Sequence, residues 1–419
     1  MCTRKNYKSY IFNKRIELCT GCGACSLVCK KQAIAMIPNK EGFLFPNVDE
    51  TKCIHCGLCD KYCPVVNLDQ RNEEFIQDCY VCSTDRKDYY IGSASIGLCT
   101  MLTESVIREK GIVYGAYLDE NTWSTYHIPI TDLSGIENIR NSKYSQSSTI
   151  EAFKSVKNNL DSGRIVLFIG TPCQISGLKA LLRKQYDNLY TIDLICHGVF
   201  SPILIPKEVQ YWERVYKGKL INFRFRSKRK YKLKNVGMVN FDCVSKNGKR
   251  THIERYAASS PSYYCYAYSQ DGNHYNLRMS CYACKFRAKE RYGDLTIGDP
   301  WGINNNIINN PSLRSNNSVR SLYIINSAKG QKLISKVKHL LYEEKIPYNQ
   351  VFAQPALLNE KLVIPSLRYS FYTNMSNIPD YGQYVETYLN CNLEYQHKKF
   401  NKAYRVKLMK HYIKKLLHK

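Results

Sequence analysis

The sequence predicts an α+β module followed by an α/β core with a mixed, largely parallel sheet. Two matching cysteine runs within residues 19–63 predict the first module, with short strands expected around residues 33–37 and 42–48. Apolar strands alternate with helical segments over residues 98–195, and this alternation is typical of a parallel sheet. At 419 residues and 44% hydrophobic content, the chain is long enough for two or three domains.

The two cysteine runs share the spacing C-x2-C-x2-C-x3-C, which is the spacing of bacterial two-cluster ferredoxins. Three of the thiolates contact one 4Fe-4S cube, and the fourth lies further along the chain and binds the other cube. The first predicted ligand set is Cys19, Cys22, Cys25 and Cys63, and the second is Cys53, Cys56, Cys59 and Cys29. Zinc favours two C-x2-C pairs and disulfides favour secretion, so two complete repeats favour this ferredoxin module.

The composition predicts a cytoplasmic protein. The first residues lead into no apolar signal segment, and no run approaches the roughly 18 apolar residues of a membrane span. Nineteen cysteines, most of them spaced for metal, fit a reducing compartment. The formal charge of +26 indicates either a generally basic surface or an acidic partner, such as a ferredoxin-type electron donor. Nucleic acid is disfavoured because no recognition helix or base-stacking module is apparent.

A strand-helix-strand unit in the core carries two further cysteines. The apolar strand at 164–169 ends shortly before Cys173, a helix continues to about Lys184, and a second strand at 189–195 ends at Cys196. In a right-handed unit both strands end at the same sheet edge, where open α/β sheets bind ligands. We therefore expect the two cysteines to lie close together, with the pKa of Cys173 lowered because it opens a helix.

A separate pair, Cys281 and Cys284, is spaced to chelate, and nothing nearby in the sequence completes four ligands. One hypothesis joins this pair to Cys173 and Cys196 in a third 4Fe-4S site. In the other, Cys173 and Cys196 are buried apolar residues, whereas Cys281 and Cys284 bind zinc or are redox-active. The spacing supports both hypotheses equally.

Other segments receive structural interpretations. Cys79 and Cys82 lie in an apolar run that predicts a strand, and residues 69–74 predict a polar linker. The basic stretch 217–234 predicts a hairpin with a solvated edge strand. Residues 398–419 predict a basic helix that either ends the chain in solvent or makes peripheral contact with an anionic membrane.

Four motifs, in this order, resemble the coenzyme F420 hydrogenase and dehydrogenase beta subunits over about residues 15–345. They are Gly170-Thr-Pro-Cys-Gln-Ile-Ser-Gly-Leu178, Asp193-Leu-Ile-Cys-His-Gly-Val199, Cys281-Tyr-Ala-Cys284 and Gly293-Asp-Leu-Thr-Ile-Gly-Asp-Pro-Trp-Gly302. The resemblance implies a core with FAD and a 4Fe-4S cluster, which favours the third ligand set. It divides the chain into a ferredoxin domain at 1–70, a flavin and 4Fe-4S core at 71–345 and a basic helical extension at 346–419.

The resemblance also implies a set of flavin contacts. A serine- and glycine-rich turn of the family is similar to residues 93–97, and a Ser-Lys-Tyr loop is similar to residues 142–147. The predicted contacts, together with the end of the strand at 164–169, are Ser95, Gly97, Ser142, Lys143, Tyr144, Gln146, Ser147, Gly170 and Thr171.

The implied function is an iron-sulfur flavoprotein oxidoreductase that passes electrons between a ferredoxin-type or deazaflavin carrier and an organic substrate. The alternative is an electron-transfer subunit that serves a partner enzyme, for example in surface polysaccharide biosynthesis. No catalytic acid or base is assigned. His197, next to Cys196, either relays a proton or supports the neighbouring cluster ligand.

Overall fold

The structure of the protein, a computed structural model, describes residues 16–67, 77–226, 237–272, 274–314, 319–351, 361–375 and 378–417. The first module contains the short 3-10 turn Ile16–Leu18, the helices α1 (Ala24–Val28) and α2 (Leu58–Lys61), and the strands β1 (Ile34–Pro38) and β2 (Leu44–Val48). The two strands pair antiparallel, so both predicted strands are confirmed to within two residues. The predicted linker at 69–74 lies outside the described residues.

The strands of the core form two sheets. They are β3 (Asp78–Ser83), β4 (Ile112–Asp119), β5 (Ser124–Ile130), β6 (Val166–Gly170), β7 (Leu189–Leu194), β8 (Gly218–Arg224), β9 (Met238–Ser245), β10 (Arg250–Tyr256), β11 (Leu295–Gly298), β12 (Ser321–Ile325) and β13 (Tyr342–Ile346). The large sheet has the order β13-β3-β12-β11-β7-β6-β4-β5. Its middle strands β11, β7, β6 and β4 are parallel, and the outer pairs are antiparallel, which confirms a mixed sheet.

Helices cover both faces of the large sheet. The helices of the core are α3 (Lys87–Tyr90), α4 (Leu98–Arg108), α5 (Ile136–Ile139), α6 (Ile150–Asp161), α7 (Pro172–Leu182), α8 (Leu204–Tyr216), α9 (Pro261–Tyr263), α10 (Met279–Tyr282), α11 (Pro311–Arg314) and α12 (Ala328–Ser335). Successive residues of a strand point to opposite faces. Accordingly, Leu167 of β6 packs with α4 and α12, whereas Phe168 packs with α6 and α7.

The second sheet, in the order β10-β9-β8, packs against α8 and the helices α14 (Arg368–Asn374), α15 (Tyr381–Tyr388) and α16 (Leu393–Leu417). The short helix α13 (Tyr348–Val351) packs against β3 of the large sheet. One hydrophobic cluster contains Trp212 of α8, Phe241 of β9, Phe371 of α14 and Val385 of α15. The boundary between core and extension at residue 345 stays a prediction. Side chains from before and after this residue pack together in the cluster.

Several predicted elements are confirmed. Cys79 and Cys82 are buried in β3, and α16 covers the predicted basic helix. The basic stretch begins with β8, which is an edge strand as predicted and pairs with β9. The rest of the predicted hairpin, residues 227–236, lies outside the described residues. Among the described residues, none of the helices combines the length and the apolar character needed to span a membrane.

Candidate functional site

The parallel strands β6 and β7 bring two cysteines to one edge of the large sheet. Gly170, the last residue of β6, pairs with Asp193 near the end of β7. Cys173 lies in the first turn of α7, directly after β6, and Cys196 follows β7. The register of the parallel pair therefore produces the predicted approach of the two cysteines.

A cavity at this edge collects the four core cysteines. Its open space is about 590 Å³, counted to its mouth. The cysteines that line it are Cys173, Cys196, Cys281 and Cys284. The described residues around it also include Arg278, Arg287 and Arg291, but no aspartate or glutamate. A cavity with this lining suits a group of negative charge.

The charges of the four thiolates interact. Burial, followed by the charges of Cys284 and Cys196, raises the pKa of Cys173 well above its ordinary value. Burial and the neighbouring Cys281 raise the pKa of Cys196 to about 12. Burial and the neighbouring Cys284 raise the pKa of Cys281 to about 11. These three thiols are protonated at neutral pH until a metal cation replaces the protons.

The prediction that the helix N-terminus lowers the pKa of Cys173 is wrong. Thr171 Oγ1 lies 3.1 Å from Cys173 Sγ, and this hydrogen bond favours the thiolate. Burial has the larger effect and opposes it, since a thiolate loses its hydration when it is enclosed.

Among the residues that the structure describes, no three histidine, cysteine, aspartate or glutamate side chains converge closely enough to hold a single metal ion. A zinc site would need its sulfur ligands about 2.3 Å from one ion. Four cysteines around a cavity can also bind a 4Fe-4S cluster.

Two imidazoles lie beside the core cysteines. His197 Nε2 lies 3.1 Å from His274 Nε2, and His274 Nδ1 lies 2.5 Å from the carbonyl oxygen of Tyr266. Burial, followed by the charges of His274 and Arg287, lowers the pKa of His197 to about 4. His197 is therefore neutral at neutral pH, and its Nε2 lies within hydrogen-bond distance of His274 Nε2. No motif in the sequence pointed to His274.

In the ferredoxin module, the first predicted ligand set comes together. Burial, followed by the charges of Cys22, Cys19, Cys63 and Cys59, raises the pKa of Cys25 well above its ordinary value. Burial and Cys22 raise the pKa of Cys63 to about 12. Cys25, Cys22, Cys19 and Cys63 are the first predicted ligand set. Cys59 belongs to the second set, so the two sites adjoin.

The second predicted set lies nearer the surface. Cys29 follows α1, and its Sγ accepts a hydrogen bond of 3.3 Å from the backbone N–H of Ala33. Cys59 lies in α2, which packs against α1, and Cys53 and Cys56 precede it on the same loop. Cys56 is exposed to solvent, whereas the first set is more deeply enclosed. The site near Cys56 is the one that an external electron carrier can approach.

Glycine allows the first cysteine loop to lie against the core. Gly23 and Gly57 precede α1 and α2 with φ angles of 80° and 75°, which glycine adopts without strain. In α7, a Cβ atom on Gly177 would lie 2.8 Å from Cys22 Cβ and 3.1 Å from its Sγ. The helix that carries Cys173 at its start therefore touches a ligand of the first ferredoxin site.

Hydrogen bonds fasten the same loop to the core. Gln146 Nε2 donates to the carbonyl oxygen of Thr20 at 2.7 Å, and Thr149 Oγ1 donates to that of Cys22 at 3.0 Å. Arg278 Nε donates to the carbonyl oxygen of Cys19 at 2.7 Å. Gln146, a predicted flavin contact, thus contributes to the contact between the module and the core.

The other predicted flavin contacts lie in two groups. In the first group, Ser95 Oγ donates to the carbonyl oxygen of Arg320 at 2.6 Å, and Gly97 precedes α4 with a φ of 85°. Asn141 Nδ2 donates to the carbonyl oxygen of Gly92 at 3.1 Å, which ties this turn to the loop that begins at Ser142. The turn and the start of the loop are therefore adjacent.

Lys143 and Tyr144 extend this first group toward the cysteine cavity. Lys143 Nζ donates to the carbonyl oxygen of Arg140 at 2.8 Å, and burial, followed by the charge of Arg224, lowers its pKa to about 7. The ring of Tyr144 lies 5.3 Å from that of Tyr266, whose hydroxyl donates to the carbonyl oxygen of Gly198 at 3.1 Å.

The second group lies at the start of α7. Ser147 Oγ accepts a hydrogen bond of 3.0 Å from Gln174 Nε2, and the N–H of Thr171 donates to Gln174 Oε1 at 2.9 Å. A Cβ atom on Gly170 would lie 3.1 Å from the same Oε1. Gln174 therefore holds these predicted contacts next to Cys173, and their role toward a flavin stays a prediction.

Sequence reasoning missed an ion pair beside Tyr144. Arg226 Nη1 lies 2.6 Å from Asp299 Oδ2, and both side chains are largely buried. Arg226 belongs to the stretch that was interpreted as solvated, and its partner follows β11 in the last of the four motifs. The acidic residue directly after the predicted strand, Asp299, was the sequence signal that could have indicated this ion pair.

Comparisons with known proteins find two matching families in different parts of the chain. Residues 18–67 match the 4Fe-4S dicluster domain, and residues 163–349 match the C terminus of the coenzyme F420 hydrogenase/dehydrogenase beta subunit. The chain carries both domains, and it is related to iron-sulfur electron-transfer oxidoreductases of this group.

Two curated relatives match over less than half of this chain. One subunit of the F(420)H(2) dehydrogenase of Methanosarcina mazei is 24% identical over 207 residues, which are 46% of this chain and 58% of the relative. The coenzyme F420-dependent sulfite reductase of Methanocaldococcus jannaschii is 24% identical over 195 residues, which are 45% of this chain and 29% of the relative. The chain thus spans about half or less of these relatives.

Among solved structures, a chain of the F420-reducing [NiFe] hydrogenase complex from Methanosarcina barkeri is similar, with a TM-score of 0.42 and 14% sequence identity. The match covers 70% of this chain and 97% of that chain.

Proposed function

We propose that this chain, which carries a 4Fe-4S dicluster domain and the C-terminal domain of coenzyme F420 hydrogenase/dehydrogenase beta subunits, is a flavin-dependent iron-sulfur oxidoreductase with three 4Fe-4S clusters. The observation that carries the proposal is the convergence of Cys173, Cys196, Cys281 and Cys284 on one cavity. Thr20 of the ferredoxin module lines the same cavity, so a cluster held there lies beside the first ferredoxin site.

The residues of the cavity fit a third cluster. The thiols of Cys173, Cys196 and Cys281 have raised pKa values and are costly to ionise alone, and iron removes this cost by replacing their protons. An all-cysteine 4Fe-4S cluster carries about −2 when oxidised, and three arginines surround the cavity. The ligands would be the four cysteines, and the hydroxyl of Thr171 would hydrogen-bond the sulfur of Cys173.

The turn at 92–97 and the loop at 141–144 fit the phosphates of a flavin dinucleotide. Burial, followed by the charge of Arg224, lowers the pKa of Lys143 to about 7, although Glu137, which pairs with Arg224 at 3.3 Å, opposes this shift. A bound phosphate would add negative charge beside Lys143. Tyr144 extends from this loop toward Tyr266 and the cysteine cavity, so a flavin ring bound along it would lie beside the third cluster.

When bound, the clusters would supply one-electron transfer, and the flavin would couple it to the two-electron transfer of a hydride. The protein keeps the redox groups close together. Gly177 lets α7 touch Cys22, and Gln146 holds the carbonyl group of Thr20. His197 lines the core site, and its Nε2 lies 3.1 Å from that of His274. The exposed loop at Cys56 receives a ferredoxin-type or other acidic carrier.

A coenzyme F420-like deazaflavin or an organic molecule is the proposed reaction partner, and the cytoplasm the proposed location. The names of both curated relatives refer to this coenzyme.

A second candidate is an electron-transfer subunit without its own substrate. The segment before α14 and the start of that helix favour it, because Val363 is 71% exposed and Tyr369 is 79% exposed, with Ile364 and Leu367 also exposed. Adjacent exposed apolar side chains are typical of a protein interface. A stable complex with a partner enzyme, and no turnover by the isolated chain, would support this candidate.

The proposed function is tested by purifying the chain without oxygen and measuring iron, acid-labile sulfide and released flavin. We expect about twelve irons and one FAD per chain, followed by reduction of deazaflavin or another acceptor when ferredoxin or dithionite is the donor. About eight irons and no flavin would mean that only the ferredoxin module binds clusters, and the enzyme proposal would be wrong.

The affinity for FAD should depend on the charge of Lys143. An anion stabilises the ammonium form, so binding raises the pKa of Lys143 above its free value of about 7. FAD should therefore bind tightest below pH 7 and weaken by up to about tenfold per unit as the pH rises above it. Flavin fluorescence titration of the flavin-free protein at pH 6 to 9 measures this slope.

Two substitutions sharpen this measurement. Lys143→Met should bind FAD weakly at every pH and remove the slope above pH 7. Lys154→Met, which removes an exposed lysine paired with Glu151, should leave the slope unchanged. An equal slope in Lys143→Met and the unaltered protein would show that another group titrates.

A further inference from the structure

Arg278 occupies an unusual position between the ferredoxin module and the core. It lies three residues before Cys281, lines the cysteine cavity, and is only 1% exposed. Its guanidinium donates to the carbonyl oxygens of Cys19 at 2.7 Å and Leu44 at 2.9 Å, and to Gln146 Oε1 at 2.8 Å. The planar fork of an arginine thus joins three acceptors, two of them in the ferredoxin module.

All three acceptors are neutral, so they satisfy the hydrogen bonds of Arg278 but not its charge. Within the described part of the chain, none of the ion pairs includes Arg278, although buried Arg291 and Arg368 each pair with a carboxylate. Burying a cation without a counter-charge is expensive. The rings of Phe43 and Phe45 lie 5.4 Å and 4.1 Å from the guanidinium and stabilise the cation in part. An anionic group bound by the neighbouring residues would supply the counter-charge.

Arg278 lies beside cysteine sites of both modules. Its guanidinium holds the carbonyl group of Cys19 in the first ferredoxin site, and its side chain lines the cavity that Cys281 also lines. A single buried cation therefore favours negative charge on both sides of the contact. The oxidised clusters that these cysteines would hold carry about −2 each, which is the missing counter-charge.

We propose that Arg278 is an electrostatic bridge: its buried cation raises the reduction potentials of the first ferredoxin cluster and of the core cluster together, and its hydrogen bonds fix the Cys19 loop over the core cavity. For the core cluster this inference rests on the proposed function. For the ferredoxin cluster it rests only on the dicluster domain.

The physical reason is that each reduction adds one negative charge to a cluster. A nearby cation in a medium of low dielectric stabilises the reduced form more than the oxidised form. Gly21 permits the close approach, because a Cβ atom there would lie 3.0 Å from Arg278 Nη1 and 2.9 Å from Gln146 Nε2. Removing the cation should make both clusters harder to reduce.

The test is a redox titration of the anaerobically purified protein, followed by EPR of the reduced clusters. Arg278→Gln should lower both potentials by about a tenfold change in each reduction equilibrium, which is about 59 mV for one electron. Arg278→Lys keeps a cation and should lower them much less. Unchanged potentials in Arg278→Gln, with its iron intact, would overturn the proposal.

If Arg278→Gln loses iron, a second pair of variants tests whether the charge of Arg278 raises the reduction potentials. Gln146→Glu places a carboxylate against the guanidinium and neutralises its charge while Arg278 stays in place. Gln146→Leu removes the same hydrogen bond to Thr20 but adds no charge. The proposal requires that Gln146→Glu lowers both potentials and Gln146→Leu does not, and equal potentials in these two variants would overturn it.

Arg368 supplies the matched control. It is also buried and also joins the ferredoxin module to the core, through paired bonds of 2.7 Å to Glu41, so its charge is already balanced. Arg368→Gln should weaken the docking and leave both potentials unchanged. If the unaltered protein held only about eight irons, the proposed function would be wrong. The reduction potential of the ferredoxin cluster would still show whether the charge of Arg278 acts on it.

Discussion

Replacing Cys281 by alanine should lower the iron content of the anaerobically purified chain from about twelve to about eight per chain, because one 4Fe-4S site loses a ligand. The two ferredoxin clusters should remain, since their eight cysteines lie outside the core cavity. Turnover should fall to background while dithionite still reduces the ferredoxin module. Iron analysis and EPR of the reduced protein measure both effects.

Cys391→Ala is the control for this substitution. Cys391 is partly buried, and its Sγ donates weakly to the carbonyl oxygen of Val385, far in the sequence from the four core cysteines. We expect this variant to keep about twelve irons. If Cys281→Ala also kept all of its iron, the assignment of Cys281 as a ligand would be wrong.

Replacing Asp193 by alanine should lower the free energy of unfolding by about 3–5 kcal/mol. The carboxylate is fully buried and pairs with buried Arg291 at 3.2 Å. It also accepts hydrogen bonds from the backbone N–H groups of Tyr292 and Gly293, each at 3.1 Å, and from Thr296 Oγ1 at 2.5 Å. Its removal leaves a buried cation and three donors without their acceptor. Urea unfolding under anaerobic conditions measures the loss.

Asp132→Ala removes an exposed carboxylate that accepts only local hydrogen bonds, for example from the N–H of Gly135 at 3.1 Å. Surface substitutions of this kind change stability by about 0.5 kcal/mol or less. A similar small change in Asp193→Ala would contradict the role assigned to the buried pair. The network also fixes the end of β7, three residues before Cys196, so loss of core iron is a second expected effect.

The sequence predicted the features that follow from the spacing of residues along the chain and from the order of strands and helices. The spacing of the ferredoxin cysteines predicted which four come together, because ligand exchange between two repeats follows from the distances along the chain. The meeting of Cys173 and Cys196 followed from the direction of a parallel strand-helix-strand unit. Both inferences use local geometry and a known rule of handedness.

Features that depend on burial and on distant contacts were not predictable in this way. Cys173 opens a helix, but its surroundings raise its pKa, and no neighbour in the sequence indicates how deeply it is enclosed. Gln146, a predicted flavin contact, binds the carbonyl group of Thr20, and Arg278 binds that of Cys19. Their roles arise from residues more than 100 positions away.

Helix α7 acts as a spacer of fixed length between the two modules. Cys173 and Gly177 are four residues apart, and at a rise of 1.5 Å per residue the contact with Cys22 lies about 6 Å further along the axis. The spacing between these redox sites is thus determined by a rigid helix and not by the chain that joins the modules. A proposed core cluster would therefore keep its separation from the first ferredoxin cluster as long as α7 keeps its length.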